Sequence, residues 1–496
     1  MNNPTQLRRL ILGLYRRVAG AALALAIALV LAVVVTGSAQ AQTYSVLYSF
    51  TGGADGGYPL ASLVPDTKGN LYGTTSERGA YGAGTVFKVA TNRQLIVLYS
   101  FTGGADGANP YGGLVQDPQG NLYGTTNGGG AYGVGTVFKL DTNGNETVLH
   151  SFSNGPDGAS PQAGLVLDTQ GNLFGTTTGG GAKDWGTVFK LDPTGNETVL
   201  HSFASFDGDG SLPSSGLVMD AQGNLYGTTV EGGTHVYGTV YKIDQTGNET
   251  VLHSFTGGKP DGESPDGGVV LDSQGNLYGT TFTAGPLNRG TVFAMDPSGN
   301  ETLLCDFLFL KGGTHPEAGV VLDAQGNLYG ATDANGSGAG TIFQLSGYSY
   351  TVLHIFNLKK RDGGYPQANL VLDAQGNLYG TTPWGGDDGF GTVFALLSSA
   401  AATTTVLTSA PNPSTHGQAV TFTAVVSGPA GVPPDGETVS FTKGKKVLGT
   451  ATLSGGSANF TISTLKNGTT TVTAVYSGDV LFAGSTSNVV KQVVTK

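Results

Sequence analysis

Seven copies of one phrase, Gly-Asn-Leu-Tyr/Phe-Gly-Thr/Ala-Thr, begin at Gly69, Gly120, Gly171, Gly223, Gly275, Gly326 and Gly376, spaced 51, 51, 52, 52, 51 and 50 residues apart. A period held that closely predicts a tandem array in which each copy is one supersecondary unit that buries its faces only against its neighbours. What all copies share then describes folding. Function is expected where the copies differ. The 82 glycines of the chain would read as low complexity if scattered, but locked to this period they mark turns.

Within one copy, Ala163-Gly-Leu-Val-Leu167 reads as a short apolar strand and Asp168-Thr-Gln-Gly171 as a turn. Asp can accept backbone N–H bonds there, and Gly can take positive φ. Asn172-Leu-Phe-Gly-Thr-Thr177 returns as a second strand, a Gly-rich loop leads to Gly186-Thr-Val-Phe-Lys-Leu191, and Glu197-Thr-Val-Leu-His-Ser-Phe203 is the fourth strand. Strands apolar at consecutive positions imply burial on both faces, as stacked propeller blades provide. The chain ends complement each other. The fourth-strand phrase first occurs at Val46-Leu-Tyr-Ser-Phe50, before any other part of a copy, and the last copy stops at Gly391-Thr-Val-Phe-Ala-Leu-Leu397 without one. The expectation is an all-β chain: a seven-bladed β-propeller over 43–397, closed when residues 44–50 pair beside 391–397, so that no blade edge stays open.

These phrases, with Gly-Gly-Gly and Val-Leu-His-Ser-Phe, resemble the tandem repeat called GloVer, found in exported bacterial proteins with varied surface anchors. The resemblance spans residues 44–397 and implies a surface or secreted location, with no assigned reaction or catalytic residues. The sixth copy departs most, with Ala331 for Thr, Cys305 for His, Thr314-His315 in place of Asp-Gly, and a shorter loop.

Residues 398–403 read as a small-residue linker. From 404 to 496 the pattern alternates, as in Val420-Thr-Phe-Thr-Ala-Val-Val426 and Thr470-Thr-Val-Thr-Ala-Val-Tyr476, which argues for a β-sandwich. Pro411-Asn-Pro413, Gly417-Gln-Ala-Val-Thr-Phe422 and Val475-Tyr-Ser-Gly-Asp479 are similar to bacterial immunoglobulin-like repeats, which implies a spacer or adhesive module.

Residues 1–42 contain Arg8, Arg9, Arg16 and Arg17, an apolar run over 18–35 and Ala39-Gln40-Ala41, the layout of a cleaved export signal. The rival reading is an uncleaved anchor, the one route to a membrane partner: that run reaches ~27 Å at ~1.5 Å per residue, just short of a bilayer core. Residues 43–397 hold 14 basic against 32 acidic side chains, and a surface of that sign repels phosphate backbones, which argues against nucleic acid. A lone Cys305 allows no intramolecular disulfide and sits in a strand phrase.

The inter-blade loops repeat Asp-Gly-x-x-Pro from Asp55 to Asp362, a structural turn. The loops between strands two and three lose identity. They supply the candidate ligand-binding residues Tyr81, Tyr132, Trp185, Tyr237, Arg289, Trp384, Asp387, Asp388 and Phe390, because aromatic rings beside carboxylates and amides suit a sugar. The competing reading is that Trp185, Tyr237 and Phe390, each directly before a Gly-Thr strand, cap blade contacts. Glu231 with His235, or Asp387 with Asp388, are the only catalytic candidates. No cofactor is expected. Calcium at Asp207-Gly-Asp209-Gly or Asp387-Asp388 is the alternative, without the ordered spacing of a dedicated loop, and the repeated His150, His201, His253 and His354 are expected too far apart for a metal. Asn-Glu-Thr at Asn145, Asn196, Asn248 and Asn300 reads as hairpin chemistry rather than glycosylation. The leading expectation is a non-enzymatic exported protein that binds a glycan or surface protein, the alternatives being an extracellular polysaccharide hydrolase or lyase and a purely structural surface protein.

Overall fold

The computed structural model describes residues 42–496, apart from 206–207, 259–260, 286, 308–311, 335–337, 399–401, 429–430, 434 and 479–481. The export segment expected before residue 42, Asp207 of the calcium reading and Asp479 of the sandwich motif lie outside the described residues. Among those described, the fold is all-β with one 3₁₀ turn, Leu358–Lys360. No helix there is long and apolar enough to cross a membrane.

Each repeat forms one four-stranded antiparallel sheet in chain order, and seven such sheets are present. In the third they are Val166–Leu167, Leu173–Thr177, Thr187–Leu191 and Glu197–Ser202. The seventh combines both ends of the array: Val371–Leu372, Leu378–Thr382 and Thr392–Leu397 are completed by Thr43–Ser49, with Thr43 opposite Leu397 and Ser49 opposite Thr392. The pairing expected from the chain ends is therefore present.

The first strand is shorter than the sequence pattern implied. Only Val166–Leu167 pairs where Ala163–Leu167 was expected. The residues ahead of it press against the next sheet's backbone: a Cβ on Gly112 would lie 2.4 Å from the Ala163 carbonyl oxygen, and one on Gly267 2.2 Å from the Gly319 nitrogen. Small residues are required at that approach, and they leave no room for a regular ladder.

Neighbouring sheets are joined by the first Thr of the shared phrase's Gly-Thr-Thr, the residue directly after Gly. Its hydroxyl donates to a carbonyl of the following sheet in Thr74 to Gly112, Thr125 to Ala163, Thr176 to Ser215, Thr228 to Pro265 and Thr280 to Ala318. Ala331 has no hydroxyl to give, and there the Gly319 N–H donates to Asn369 Oδ1 at 2.7 Å instead. Thr381 donates to Ala61, linking the seventh sheet to the first. Apolar clusters fill each junction: Phe174, Val188 and Phe203 of the third sheet pack with Leu217, Leu225 and Tyr241 of the fourth, and Val393 of the seventh packs with Leu63, Leu71 and Phe87 of the first. Each fully buried Phe contributes about 1.5–3 kcal/mol.

The C-terminal region forms two further sheets, one of Thr404–Ala410, Val420–Ser427 and Ser457–Ile462, the other built on Gly468–Gly478. Alternate residues, among them Leu407, Phe422, Phe441 and Tyr476, make their shared core.

Candidate functional site

Each inter-blade loop pairs with the loop between strands two and three of its own sheet, as in Gly57 with Glu77, Ala108 with Gly128 and Gly364 with Trp384. The variable loops and the Asp-Gly-x-x-Pro loops therefore share one face. Their necks are clamped by buried hydroxyl pairs such as Thr177 with Thr187 at 2.9 Å and Thr382 with Thr392 at 2.9 Å.

On this face the structure divides the nine candidates. Tyr81 and Tyr132 are exposed tips, 67% and 65% accessible. Trp185 is half-buried against the cluster holding Phe203 and Leu217. Phe390 is half-buried beside Val393, with the Arg78 guanidinium 5.1 Å from its ring centre and Gly52 beneath it, where a Cβ would come within 2.5 Å. Tyr237 lies over Gly257 in the same manner while keeping one edge exposed. For Trp185 and Phe390 the geometry is that of rings capping blade contacts. The Arg289 carbonyl accepts the His315 N–H at 2.8 Å, and Asp388 is exposed.

Trp384 and Asp387 are brought together. They line an open groove of ≈ 500 Å³ with Leu358, Lys359, Arg361 and Tyr365 from the preceding inter-blade loop. Trp384 is 47% accessible and meets Tyr58 edge-on at 4.8 Å. Arg361 Nη1 donates to Asp387 Oδ1 at 3.0 Å, and the Asp387 N–H donates to Ser49 Oγ at 2.7 Å. Sequence reasoning missed Arg361 and Tyr365. The run Lys359-Lys360-Arg361, basic within an acidic array, was the available signal. Tyr132, Trp185, Tyr237 and Arg289 stand on separate sheets and do not join this groove. A cavity of ≈ 600 Å³ opens instead among the Asp-x-x-Gly turns of the other face, lined by Asp66, Lys68, Asp373 and Phe482.

Neither catalytic pair assembles. Among the described residues no hydrogen bond joins Glu231 to His235, both exposed, and Asp387 is engaged by Arg361. The Asn-Glu-Thr turns are hairpin chemistry in geometry: Asn196 donates through N–H and Nδ2 to Asp192, each at 2.9 Å.

At the rim the structure corrects the sequence argument. Outermost strands of adjacent sheets do not lie far apart, because one outer hairpin leans onto its neighbour: a Cβ on Gly247 would lie 3.0 Å from the Leu200 carbonyl oxygen. His201 Nε2 stands 3.3 Å from Asp209 Oδ1, and Glu249 of the next outer strand joins them, with all three donor atoms within 4.8 Å of one another. His253, Asp261 and Glu301 repeat the arrangement. His150 Nε2 is likewise 3.3 Å from Asp157. The same loop aspartate receives the Tyr48 and Tyr99 hydroxyls at Asp55 and Asp106, each at 3.0 Å. So the Asp-Gly-x-x-Pro loop is latched by the preceding fourth strand. Glu146, Glu197 and Glu249 are pushed up to about 7, by burial first and then by the carboxylates of Asp106, Asp157 and Asp209.

The sixth copy's departure falls two residues earlier than the sequence comparison put it. Thr314 bridges Ala334, as Gly57 bridges Glu77, so Gly312 holds the aspartate's place, and its carbonyl accepts the Tyr350 hydroxyl. His354 Nε2 lies 3.3 Å from Asp362 without hydrogen-bond alignment, and its ring stacks on Tyr44 at 3.8 Å.

Residues 32–235 and 213–419 match the Gloeobacter/Verrucomicrobia repeat, and residues 407–495 match the bacterial Ig-like domain of group 3. No curated protein matches the chain. Among solved structures, the extracellular domain of BT4673 from B. thetaiotaomicron is similar at 13% identity and TM-score 0.50, over 92% of this chain and 58% of that one. A second structure of that domain gives 14%, 0.50, 92% and 59%. A puromycin hydrolase aligns at 10% identity and TM-score 0.43, over 89% of this chain and 62% of its own. This chain thus spans 58% of the first BT4673 structure's length, and at such identities the likeness speaks to fold alone. The chain belongs to the Gloeobacter/Verrucomicrobia repeat family and carries a bacterial Ig-like domain at its C-terminal end.

Proposed function

We propose that this chain is an exported, non-enzymatic interaction protein in which a closed seven-bladed propeller over 43–397 presents its loop face to a glycan, with residues 398–403 as linker and 404–496 as spacer. Closure is supported by the completion of the seventh sheet by Thr43–Ser49 and by the Thr381 to Ala61 bond. Export is supported by the layout of residues 1–42 and by the Ig-like match.

The single observation that carries binding is the groove at Trp384. An exposed indole face beside Tyr365 offers stacking to sugar C–H faces, and the Arg361–Asp387 pair offers hydroxyl partners of both polarities. Trp384, Asp387 and Arg361 are the residues assigned to the ligand. Tyr81, Tyr132, Tyr237, Arg289 and Asp388 form a secondary set on the same face, whereas Trp185 and Phe390 support the loops.

A glycan array probed with the purified protein tests this. Retention lost in Trp384→Ala, with Trp185→Ala still retained, is the expected result. Release of shortened products would favour the hydrolase or lyase alternative, and no retention by the wild type would leave a structural surface role.

A further inference from the structure

The rim clusters are built differently from junction to junction, and the differences are informative. Where one sheet follows another, three positions meet: the fifth residue of the fourth-strand phrase, the loop aspartate, and the first residue of the next fourth-strand phrase. Three consecutive junctions hold His150, Asp157 and Glu197; His201, Asp209 and Glu249; and His253, Asp261 and Glu301. The junction before them holds Tyr99, Asp106 and Glu146. The remaining three replace the glutamate with Tyr350, Tyr44 or Leu95. There the polar requirement is met internally, since Tyr350 and Tyr44 donate to the Gly312 and Asp362 carbonyls.

Among the described residues, Oε1 of Glu146, of Glu197 and of Glu249 is cut off from solvent and accepts no hydrogen bond. Each faces an aspartate whose own oxygens already accept from the loop backbone, as Asp209 does from Ala204 and Gly210. Two carboxylates and an imidazole converging in this way offer two oxygen donors and one nitrogen donor to a single point.

The spacing suits an ion. Imidazole nitrogen and aspartate oxygen stand 3.3 Å apart at all three junctions, longer than a good N–H···O bond. Two metal–ligand bonds of about 2.05 Å at a tetrahedral angle place their donor atoms about 3.3 Å apart.

We propose that His201, Asp209 and Glu249, and likewise His253, Asp261 and Glu301, bind a borderline divalent cation of the zinc class that clamps one blade's outer strand and loop to the next blade's outer strand. One nitrogen and two carboxylate oxygens leave a coordination position for water, and imidazole with carboxylates suits zinc over calcium. His150, Asp157 and Glu197 occupy the same sequence positions, but among the described residues only the other two sets bring all three donor atoms within 4.8 Å of one another. Tyr99, Asp106 and Glu146 lack the imidazole and serve as the internal control.

The test is zinc titrated into EDTA-treated, desalted full-length protein in competition with a chromogenic chelator, with cobalt(II) absorption as a second readout. Two equivalents are expected, one lost in Glu249→Gln and the other in Glu301→Gln, with Glu146→Gln unchanged. Zinc should also raise the thermal midpoint by several degrees. Absence of saturable binding, or a stoichiometry unmoved by the two glutamine variants, overturns the proposal. So does cobalt(II)-loaded wild-type protein showing only the weak absorption of the hydrated ion, whichever variants fold.

Discussion

Phe50→Ala tests whether the N-terminal strand is a structural member of the array. Phe50 is fully buried, stands edge-on to Phe87 at 5.1 Å and to Tyr48 at 5.2 Å, and packs with Leu63 and Leu71 of the first sheet and Val393 of the seventh. Phe152 occupies the same place between the second and third sheets, edge-on to Phe189 at 5.2 Å and also fully buried. Truncating a phenylalanine in such a site costs about 3–5 kcal/mol, the transfer free energy plus the cavity left behind. That is a large share of a typical stability of about 5–15 kcal/mol. If the first strand is as integral as any other, Phe50→Ala and Phe152→Ala should destabilise equally to within ~1 kcal/mol. Urea unfolding followed by the fluorescence of Trp185 and Trp384, the two tryptophans of the chain, gives both values. A cost below ~1 kcal/mol for Phe50→Ala alongside ~3 kcal/mol or more for Phe152→Ala would refute closure, because the strand would then be an appendage.

Tyr241 stands where six other copies have Phe, is fully buried, and its hydroxyl has no hydrogen-bond partner; Tyr241→Phe should stabilise by ~1–2 kcal/mol in the same urea assay. The glutamates at the rim set a pH dependence. Raised from 4.5 to about 7 in the folded chain, they hold more protons folded than unfolded between those values, so metal-free protein should lose stability as pH rises from about 4.5 to about 7. Discounted for solvent screening, roughly 1 kcal/mol per group is expected, read as a falling thermal midpoint that flattens in Glu197→Gln with Glu249→Gln. Gly391 has φ +97°, and a Cβ there would meet the Thr382 carbonyl oxygen at 2.4 Å and Pro59 Cδ at 2.6 Å; Gly391→Ala should cost more than ~2 kcal/mol, and an unchanged thermal midpoint would count against that packing.

The sheets were legible because one copy's periodicity is checked by six others, and because the surplus fourth strand at residue 44 matches the deficit at 397. The rim clusters were not, since their three residues come from two copies and only the lean of an outer hairpin brings them together. A trace existed all the same: Cys305 and Gly312 depart in the same copy, which is what residues in contact do. Trp185 and Phe390 show the opposite limit, because an aromatic residue beside a Gly-Thr strand reads alike whether it faces a ligand or the neighbouring loop. Backbone crowding at the short inner strands has no side-chain signature beyond small residues, so their length was overread.

Thr43 lies opposite Leu397 in an antiparallel pair, and this fixes how the molecule bears load. Whatever precedes residue 43 and the sandwich that follows residue 397 depart from the same end of that ladder. Tension between them would not shear six rungs at once but peel them singly, beginning with Thr43 and Leu397. The joint that completes the seventh sheet would therefore also be its mechanical fuse, with the other six sheets of the array spared while it opens.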